Sequence, residues 1–225
     1  MLQIVNSGAA DAAFNMAMDE ALLGFASLVG RPVLRFYGWT EAAASFGYFQ
    51  RYADVAALTS LRPLVRRPTG GGIVPHDNDW TYSLVFPPEH TWHELRAVES
   101  YRAVHLWLQA AFARVGVAVE VAAEASKSQV GQCFAGHEQF DVLFHGRKIA
   151  GAAQRRTKQG LLIQGSVQPV GVRVSRNAWE KAMAEVVPVD AGRGRTTYVP
   201  DEGVMARAGE LVEAKYGREE FNRKR

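Results

Sequence analysis

The sequence predicts an α+β fold in which helices pack against a mainly antiparallel sheet. Two long segments, 12–29 and 91–116, carry apolar residues at the spacing of an amphipathic helix. Short strand-like runs follow one another directly, including 139–144 and 147–153 on either side of a turn-like His145-Gly146 pair. Because strands and helices do not alternate strictly, the order disfavours a parallel doubly wound sheet.

The first half of the chain is predicted to begin with a long helix. Asp11 is a suitable N-cap for a helix over 12–29, and Gly30 is a suitable stop. Residues 80–86 place Trp80, Tyr82, Leu84 and Phe86 at alternate positions, which predicts a strand. Shorter strands are predicted at 33–37, 43–46 and 64–66, and a short helix at 52–59.

A second long helix is predicted to follow. Thr91 and Glu94 match a capping box, so we expect this helix to start at Thr91 and to end at Gly116. The remaining predicted elements are a strand at 117–121, a loop at 122–137, the hairpin 139–144 and 147–153, a strand at 161–168, a helix from Ser175 or Asn177 to Val186, and a last helix at 202–216.

Composition excludes several classes of protein. Hydrophobic residues make up 48% and charged residues 22%, as in ordinary globular proteins. Lys+Arg number 26 against 23 Asp+Glu, and a net charge of +3 is too small an excess to indicate nucleic-acid binding. No apolar run approaches the roughly 18–20 residues of a membrane span, and residues 1–25 lack the pattern of a signal peptide.

The cysteine and histidine content narrows the chemistry further. Cys133 is the one cysteine, which excludes an intramolecular disulfide and a cysteine metal cluster and suits a reducing cytoplasm. The six histidines are scattered, and no carboxylate-rich cluster accompanies them. We therefore predict a cytoplasmic protein without a metal site.

A glycine-rich loop at Arg66–Gly72 is the first candidate site. Its sequence, Arg-Arg-Pro-Thr-Gly-Gly-Gly, lies between two predicted strands and fits neither a P-loop nor a dinucleotide fingerprint. Successive glycines allow the backbone to approach a ligand closely, with N–H groups directed at its oxygen atoms. A flexible hairpin loop without a ligand is the alternative, and the two arginines and His76 favour the binding loop.

The second candidate site combines Cys133 with the strand that carries Lys148. Cys133 lies in a polar loop near basic residues, which favours a reactive thiolate, although a lone cysteine is more often a small hydrophobe. Lys148 stands near Gly151 and Ala152, small residues that leave room for a ligand or suit close packing against a helix. Residues 164–166 on the next strand can face the same space.

These motifs together resemble the biotin/lipoate ligase catalytic-domain superfamily over roughly residues 3–170. The resemblance lies in Arg66–Asp77, which is similar to an Arg-Arg-x-Ser/Thr-Gly-Gly-Gly/Arg-x-Val-x-His-Asp signature, and in Gly146–Arg156, which is similar to Gly-x-Lys-Ile-Ala-Gly-Ser-Ala-Gln. Residues 15–22 resemble the family's first helix. Two departures stand out: Gln164 replaces a family histidine, and residues 169–177 lack the family's acidic stretch.

The resemblance implies a fold and a site. It implies helices flanking a mainly antiparallel sheet, an acyl chain buried beside the glycine loop, and Lys148 in contact with the acyl carbonyl or acyl-phosphate oxygen. It also implies one catalytic domain over 1–225 without a full C-terminal accessory domain. The substrate-binding residues that it implies are Arg67, Thr69, Gly70, Gly71, Gly72, His76, Gly151, Ala152, Gln164 and Gly165.

Within the superfamily, the chain is most similar to the branch of cysteine-dependent octanoyltransferases and lipoate–protein ligase A. Cys133-Phe134 matches the Cys-Phe pair that octanoyltransferases carry upstream of the lysine. This implies transfer of an octanoyl group from acyl carrier protein, through a Cys133 thioester, to a lysine of a lipoyl-carrier domain of the glycine cleavage H protein or 2-oxoacid dehydrogenase E2 type. No cofactor is expected for that reaction.

Two alternatives remain open at this point. An ATP-dependent lipoate–protein ligase would need ATP and Mg²⁺ and would use Lys148 without Cys133. A non-catalytic binder of the carrier domain or of a lipoyl-like ligand is the other alternative. For either enzyme, Arg66, Arg155 and Lys158 are candidates for steering acidic carrier proteins towards the site.

Overall fold

A computed structural model describes residues 1–126 and 136–224 of the protein. In these residues the strands are β1 Leu2–Ala10, β2 Val33–Trp39, β3 Ala43–Phe46, β4 Leu64–Arg66, β5 Val74–His76, β6 Trp80–Phe86, β7 Glu120–Val121, β8 Val142–Phe144, β9 Arg147–Thr157, β10 Gly160–Val167 and β11 Arg195–Thr197. The helices are α1 Ala12–Gly24, α2 Ala26–Val29, α3 Tyr52–Leu58, α4 Thr91–Glu94, α5 Ala97–Arg114, α6 Arg176–Glu185, α7 Glu202–Leu211, continued by a π-helical turn Val212–Tyr216, and α8 Glu219–Asn222.

The described strands form one large and one small sheet. Eight strands make the large sheet in the order β11-β1-β2-β6-β10-β9-β8-β7, and three make the small one in the order β4-β3-β5. In the large sheet β1 pairs in parallel with β2 and β11, and every other neighbouring pair is antiparallel. The predicted α+β fold with a mainly antiparallel sheet is confirmed.

Helices cover both faces of the large sheet, so its central strands are buried on both sides. On one face, α5 and α6 pack over residues such as Leu84 and Phe86 of β6. On the other face, α1 and α7 pack over Val85 of the same strand and Leu162 of β10. The alternation of side chains along β6 therefore serves two separate hydrophobic cores, as expected for a strand with period two.

Several predicted boundaries are confirmed by the structure. The Asp11 carboxylate accepts a hydrogen bond from Phe14 N at 2.7 Å and so caps α1. Gly30 ends α2 in the left-handed conformation, with φ of 63°. His145 and Gly146, with φ of 50° and 74°, form the two-residue turn between β8 and β9.

Other boundaries differ from the prediction. The helix predicted over 12–29 is interrupted at Phe25, and β1, β5 and β11 were not predicted. Thr91 does not cap the long helix: the His90 ring accepts from Trp92 N at the start of α4, and α5 begins separately at Ala97, where Glu99 accepts from Arg96 N at 2.9 Å. The strand predicted over 117–121 is confined to β7, since Val117 N instead bonds back to Phe112 O.

None of the helices in the described part of the chain combines the length and the apolar character that a membrane crossing requires.

Candidate active site

A pocket of about 500 Å³, including the space at its open mouth, lies between the glycine loop, the small sheet and strands β9 and β10. Its wall contains eight residues that the sequence predicted for the site: Arg67, Gly71, His76, Lys148, Gly151, Ala152, Gln164 and Gly165. Thr69, Gly70 and Gly72 belong to the loop beside it but are not in its wall. Cys133 lies outside the described residues. The roles assigned to these residues stay predictions.

Lys148 reaches the pocket from β9 with its ammonium group paired to a buried carboxylate. Its Nζ lies 2.7 Å from Oδ2 of Asp141, and the two side chains are 8% and 0% exposed. Asp141 also accepts from the Tyr101 hydroxyl and from Glu138 N. Burial, and then the Asp141 charge, raise the pKa of Tyr101, which keeps that hydroxyl a hydrogen-bond donor. The position of Lys148 is therefore fixed by groups on α5 and on the segment before β8.

Gly151 is required by the way Lys148 folds back along the strand. A Cβ atom at position 151 would lie 2.9 Å from Lys148 Cε and 3.0 Å from Oδ1 of Asp141. Both contacts are tighter than Cβ atoms usually make, so a side chain here would require the end of the lysine to shift. The alternative of close helix packing is not needed to explain this glycine.

The glycine loop is organised by its own arginine. Arg67 donates through Nη2 to Gly70 O at 2.6 Å and to Gly72 O at 2.7 Å, and its Nη1 donates to Ser45 Oγ at 3.2 Å. Gly71 has a φ of 89°, which favours glycine, and a Cβ there would meet Arg67 Nη2 at 2.7 Å. These bonds tie two carbonyl groups of the loop to one guanidinium, which favours the binding loop over a loosely held hairpin.

Arg66 is a structural residue and does not face solvent. Its side chain is completely buried and donates to Tyr48 O and Gln50 O at 2.7 Å each, and to Asn222 O at 2.9 Å. The hypothesis that Arg66 steers acidic partners is therefore wrong. The residue instead joins three parts of the chain: β4 beside the glycine loop, the loop after β3, and α8.

Gln164, which replaces the family histidine, uses both ends of its amide inside the protein. Its Oε1 accepts from Thr69 Oγ1 at 2.7 Å, and its Nε2 donates to Oδ2 of Asp19 at 2.8 Å. Asp19 in turn is paired with Arg35 at 2.7 Å, and both side chains are 0% exposed. An amide suits this place because it accepts at one end and donates at the other. Gln164 thus connects the glycine loop to the buried ion pair beneath it.

Gly165 allows a tyrosine from the neighbouring strand to lie beneath it. A Cβ at this position would come within 2.1 Å of Cζ and 2.3 Å of the hydroxyl oxygen of Tyr82. Tyr82 is completely buried on β6, the strand that pairs with β10. The glycine therefore leaves room for a ring of the hydrophobic core next to this wall of the pocket.

His76 occupies the opposite wall within a chain of hydrogen bonds. Its Nε2 lies 2.8 Å from Ser45 Oγ, and its Nδ1 lies 2.9 Å from Oδ2 of Asp79. The ring stacks on Trp39 with 3.8 Å between centroids. Burial alone would raise the pKa of Asp79, but the His76 ring and the hydroxyl donors Ser166 and Thr81 bring it below its usual value. Asp79 is therefore a charged acceptor.

Sequence reasoning missed part of the wall and the carboxylates behind it. The pocket contains Ser166, from the stretch 164–166 that was expected to face it, and six residues outside the predicted set: Met16, Tyr37, Ser45, Val74, Thr81 and Ala153. Behind the wall lie Asp19, Asp79 and Asp141, which hold Gln164, His76 and Lys148. Of these three carboxylates, only Asp79 could have been suspected from the sequence, because it lies three positions after His76. Asp77, which directly follows His76, was the more obvious partner. In residues 1–126 and 136–224, no group of three or more His, Cys, Asp or Glu side chains could hold a metal ion.

Sequence comparison finds relatives whose names refer to lipoyl protein ligation and to octanoyl transfer. The family model for the lipoyl protein ligase A/B catalytic domain matches residues 11–191. Octanoyltransferase LipM of Staphylococcus aureus is 37% identical, over 72% of this chain and 64% of that protein. Octanoyltransferase LipM of Bacillus subtilis is 36% identical, over 73% of this chain and 64% of that protein. The chain therefore spans less than two thirds of the length of these curated relatives.

Solved structures share the fold at lower sequence identity. A structure of lipoate-protein ligase A bound with ATP superposes with a TM-score of 0.75 at 20% identity, covering 99% of this chain and 97% of that chain. A bi-partite lipoate protein ligase from Thermoplasma acidophilum superposes with a TM-score of 0.70 at 21% identity, covering 98% and 95%. Likeness at this level of identity concerns the fold alone. With the family model matched across the pocket, the chain belongs to the lipoyl protein ligase A/B catalytic domain family.

Proposed function

We propose that the chain is an octanoyltransferase, which moves an octanoyl group from acyl carrier protein to a lysine of a lipoyl-carrier domain. The observation that carries this proposal is the 36–37% identity to proteins named octanoyltransferase over 72–73% of the chain. Cys133-Phe134 at the position expected for that branch favours it over the ATP-dependent ligases.

The wall of the pocket supports an acyl substrate. Gly151, Ala152 and Ala153 of β9 and Gly165 of β10 place small groups along one side, next to the Lys148 ammonium. An unbranched acyl chain needs such a narrow and largely apolar space, and its carbonyl oxygen needs a positive group at one end. Lys148 is suited to that role because Asp141 holds it in place without removing its charge.

The described ends of the segment that carries Cys133 are tied to the lysine's partner. Ser126 and His137 exchange two backbone hydrogen bonds, of 2.8 and 2.9 Å. Four residues before Ser126 and four residues after His137, Ala122 N donates to Asp141 O at 2.9 Å. The chain therefore leaves and re-enters this segment close to the residue that pairs with Lys148, which favours a joint role for Cys133 and Lys148.

The proposed reaction has two steps. The Cys133 thiolate attacks the octanoyl thioester, the new sulfur–carbon bond forms, and the carrier thiolate leaves and takes up a proton. The uncharged ε-amine of the acceptor lysine then attacks the acyl-enzyme, loses its proton, and releases Cys133 as the amide forms. Lys148 and N–H groups of the glycine loop would stabilise each oxyanion, by ~3–4 kcal/mol per donor in related chemistry. Thioester to amide is downhill, so the transfer needs no ATP.

Intact mass spectrometry tests the first step. Incubation with octanoyl-acyl carrier protein is expected to add the mass of one octanoyl group to the wild-type chain and none to Cys133→Ser. Lys148→Met is expected to acylate far more slowly, whereas Lys181→Met, on the outer side of α6, serves as the matched lysine control. Addition of a lipoyl-carrier domain should then remove the adduct and acylate one of its lysines.

The same assay separates the other two functions. A ligase would join free lipoate to the carrier domain in the presence of ATP and Mg²⁺, and it would remain active as Cys133→Ser. A non-catalytic binder would give neither an adduct nor turnover and would only bind octanoate or the carrier domain. Either result would overturn the transferase proposal. A cytoplasmic location and a single catalytic domain over 1–225 remain parts of the proposal.

A further inference from the structure

The pocket contains a second set of reactive groups that the proposed transfer does not use. Ser45, His76 and Asp79 stand in series, with 2.8 Å from Ser45 Oγ to His76 Nε2 and 2.9 Å from His76 Nδ1 to Asp79 Oδ2. Ser45 and His76 both line the pocket that Lys148 and Gly151 also line. Serine, histidine and aspartate in this order and at these distances form the arrangement that activates a serine as a nucleophile.

The hydrogen-bond partners fix where the protons lie. Asp79 Oδ2 lies within 2.7–2.9 Å of Ser166 Oγ, Thr81 Oγ1 and His76 Nδ1, and a carboxylate only accepts, so all three must donate. In its uncharged form the His76 ring therefore carries its proton on Nδ1 and accepts through Nε2. Arg67 only donates, so Ser45 Oγ accepts from Arg67 and gives its own proton to His76. This is the protonation pattern of a serine ready to lose its proton.

The surroundings hold the ring and favour negative charge on the serine oxygen. Trp39 stacks on His76 at 3.8 Å, and its indole Nε1 donates to Thr81 Oγ1 at 2.8 Å, so ring and carboxylate are braced together. Arg67 Nη1 lies 3.2 Å from Ser45 Oγ and places a permanent positive charge beside it. Ser45 is 3% exposed, so this chemistry is confined to a molecule that enters the pocket.

We propose that Ser45 is a second nucleophile, which makes the protein a hydrolase of unbranched acyl thioesters and esters. Ser45 Oγ attacks the acyl carbonyl as its proton passes to His76 Nε2, and the thiol or alcohol leaves with that proton. Water then attacks the seryl ester, gives a proton to His76, and the acid is released as Ser45 recovers its proton. Asp79 positions the ring and touches no reacting atom. The inference concerns hydrolysis independent of Cys133 and goes beyond the proposed transfer.

Hydrolysis of p-nitrophenyl octanoate by the Cys133→Ala protein tests this inference. We expect turnover in that background, a fall of about 100-fold or more on adding Ser45→Ala, and a similar fall with His76→Gln. Asp79→Asn is expected to lower kcat while KM for the ester stays the same, because it disturbs the ring and not the binding of the chain. Ser100→Ala, a buried serine on α5 outside the pocket, is the matched control and should leave turnover unchanged.

A labelling experiment avoids the question of whether the variants fold. The wild-type protein is treated with an alkyl fluorophosphonate and digested, and the modified peptide is sequenced by mass spectrometry. A label on Ser45 supports the inference. Absence of a label, a label on another residue, or ester hydrolysis that survives Ser45→Ala would overturn it.

The outcome is independent of the proposed transfer. An octanoyl adduct on Cys133 with no reaction at Ser45 leaves the transferase standing and removes the hydrolase. A label on Ser45 in a protein whose Cys133 is never acylated supports the hydrolase and removes the transferase.

Discussion

At the scale of single residues, each wall of the pocket depends on a carboxylate that lies behind it. Asp141 pairs with Lys148, Asp79 with His76, and Asp19 accepts from the amide of Gln164. The three carboxylates come from different parts of the chain, and all are buried. Since each front residue is held by a buried carboxylate group, its orientation is set before a substrate arrives.

Gly165 offers a direct test of how closely the core is packed against the wall of the pocket. We expect Gly165→Ala to lower the free energy of unfolding by about 1–3 kcal/mol, because its methyl group would overlap the Tyr82 ring at 2.1 Å. Urea unfolding measures the change. Gly209→Ala in α7 is the matched control, since its methyl group meets nothing within 4 Å, and it should gain up to about 1 kcal/mol. Equal stability of Gly165→Ala and wild type would contradict the packing described here.

The parts of the site that could be predicted are those formed by residues that are consecutive in the sequence. Arg66–Gly72 and the run around Lys148 are local patterns, and the structure brings both to one pocket. Ser45, by contrast, gave no signal, because its partner His76 lies 31 positions away and the two meet only through β3 and β5. The role of Asp141 could not be predicted either, since no neighbouring residue in the sequence indicates that its carboxylate becomes buried.

At the scale of elements, the glycine loop is held by a helix from the far end of the described chain. Asn222 of α8 accepts from Arg66 N at 2.8 Å, while the Arg66 side chain donates to backbone carbonyls of Phe221 and Asn222. The sequence positions of Arg66 and Asn222 differ by 156. The short α8 thus acts as a clamp on β4 and, through it, on the loop.

Asn222→Ala is expected to loosen this clamp. Loss of its oxygen removes the hydrogen bond from Arg66 N, which should lower the free energy of unfolding by about 1–3 kcal/mol and slow acylation. Denaturant unfolding and the acylation assay measure the two effects. Arg223→Ala removes an exposed ion pair to Glu219 and a cation–π contact with Tyr52 but no bond to Arg66, so it is the neighbouring control and should change stability by less than about 1 kcal/mol. If both variants behave alike, α8 does not brace the loop.

A strand could be predicted where its own apolar residues mark it in the sequence. A strand could not be predicted where it forms only because it pairs with residues far away in the chain. β4 and β6 coincide with the predicted ranges because their apolar residues mark them. β1 buries Leu2 and Val5, three positions apart, and its register against β2 shifts between Asn6 and Ala9, so no period of two is visible. β11 is short and largely exposed, and it forms only because residues 2–4 lie beside it.

At the scale of the whole molecule, two hydrophobic cores enclose the sheet, and one of them contains a histidine. His105 on α5 is completely buried, and in the described part of the chain neither ring nitrogen has a hydrogen-bond partner. Burial lowers the pKa of His105 from 6.5 to about 4, against a smaller opposite effect of Asp141. The ring is therefore neutral in the folded protein at pH 5, where it would be charged in the unfolded chain.

This difference makes stability depend on pH. The contribution of His105 is fully present above pH 6.5 and is lost as the pH falls towards 4, because only the unfolded chain binds the proton in that range. Between pH 7 and pH 5 we expect the free energy of unfolding to fall by about 2 kcal/mol from this residue. Urea unfolding at both pH values checks this. His105→Phe should keep the stability at pH 7 and remove most of the fall; an unchanged fall would assign the pH dependence to other groups.

The attachment of Asn222 to Arg66 also has a consequence for biosynthesis. When a ribosome has made residues 1–170, every residue that lines the pocket in the described structure already exists, yet the helix that clamps the glycine loop has not been translated. Likewise, β1 has a partner strand on only one side until β11 has been translated. We therefore expect the nascent chain to carry the residues of the pocket before it can hold them in place, and the pocket to take its final shape only after translation has passed residue 222.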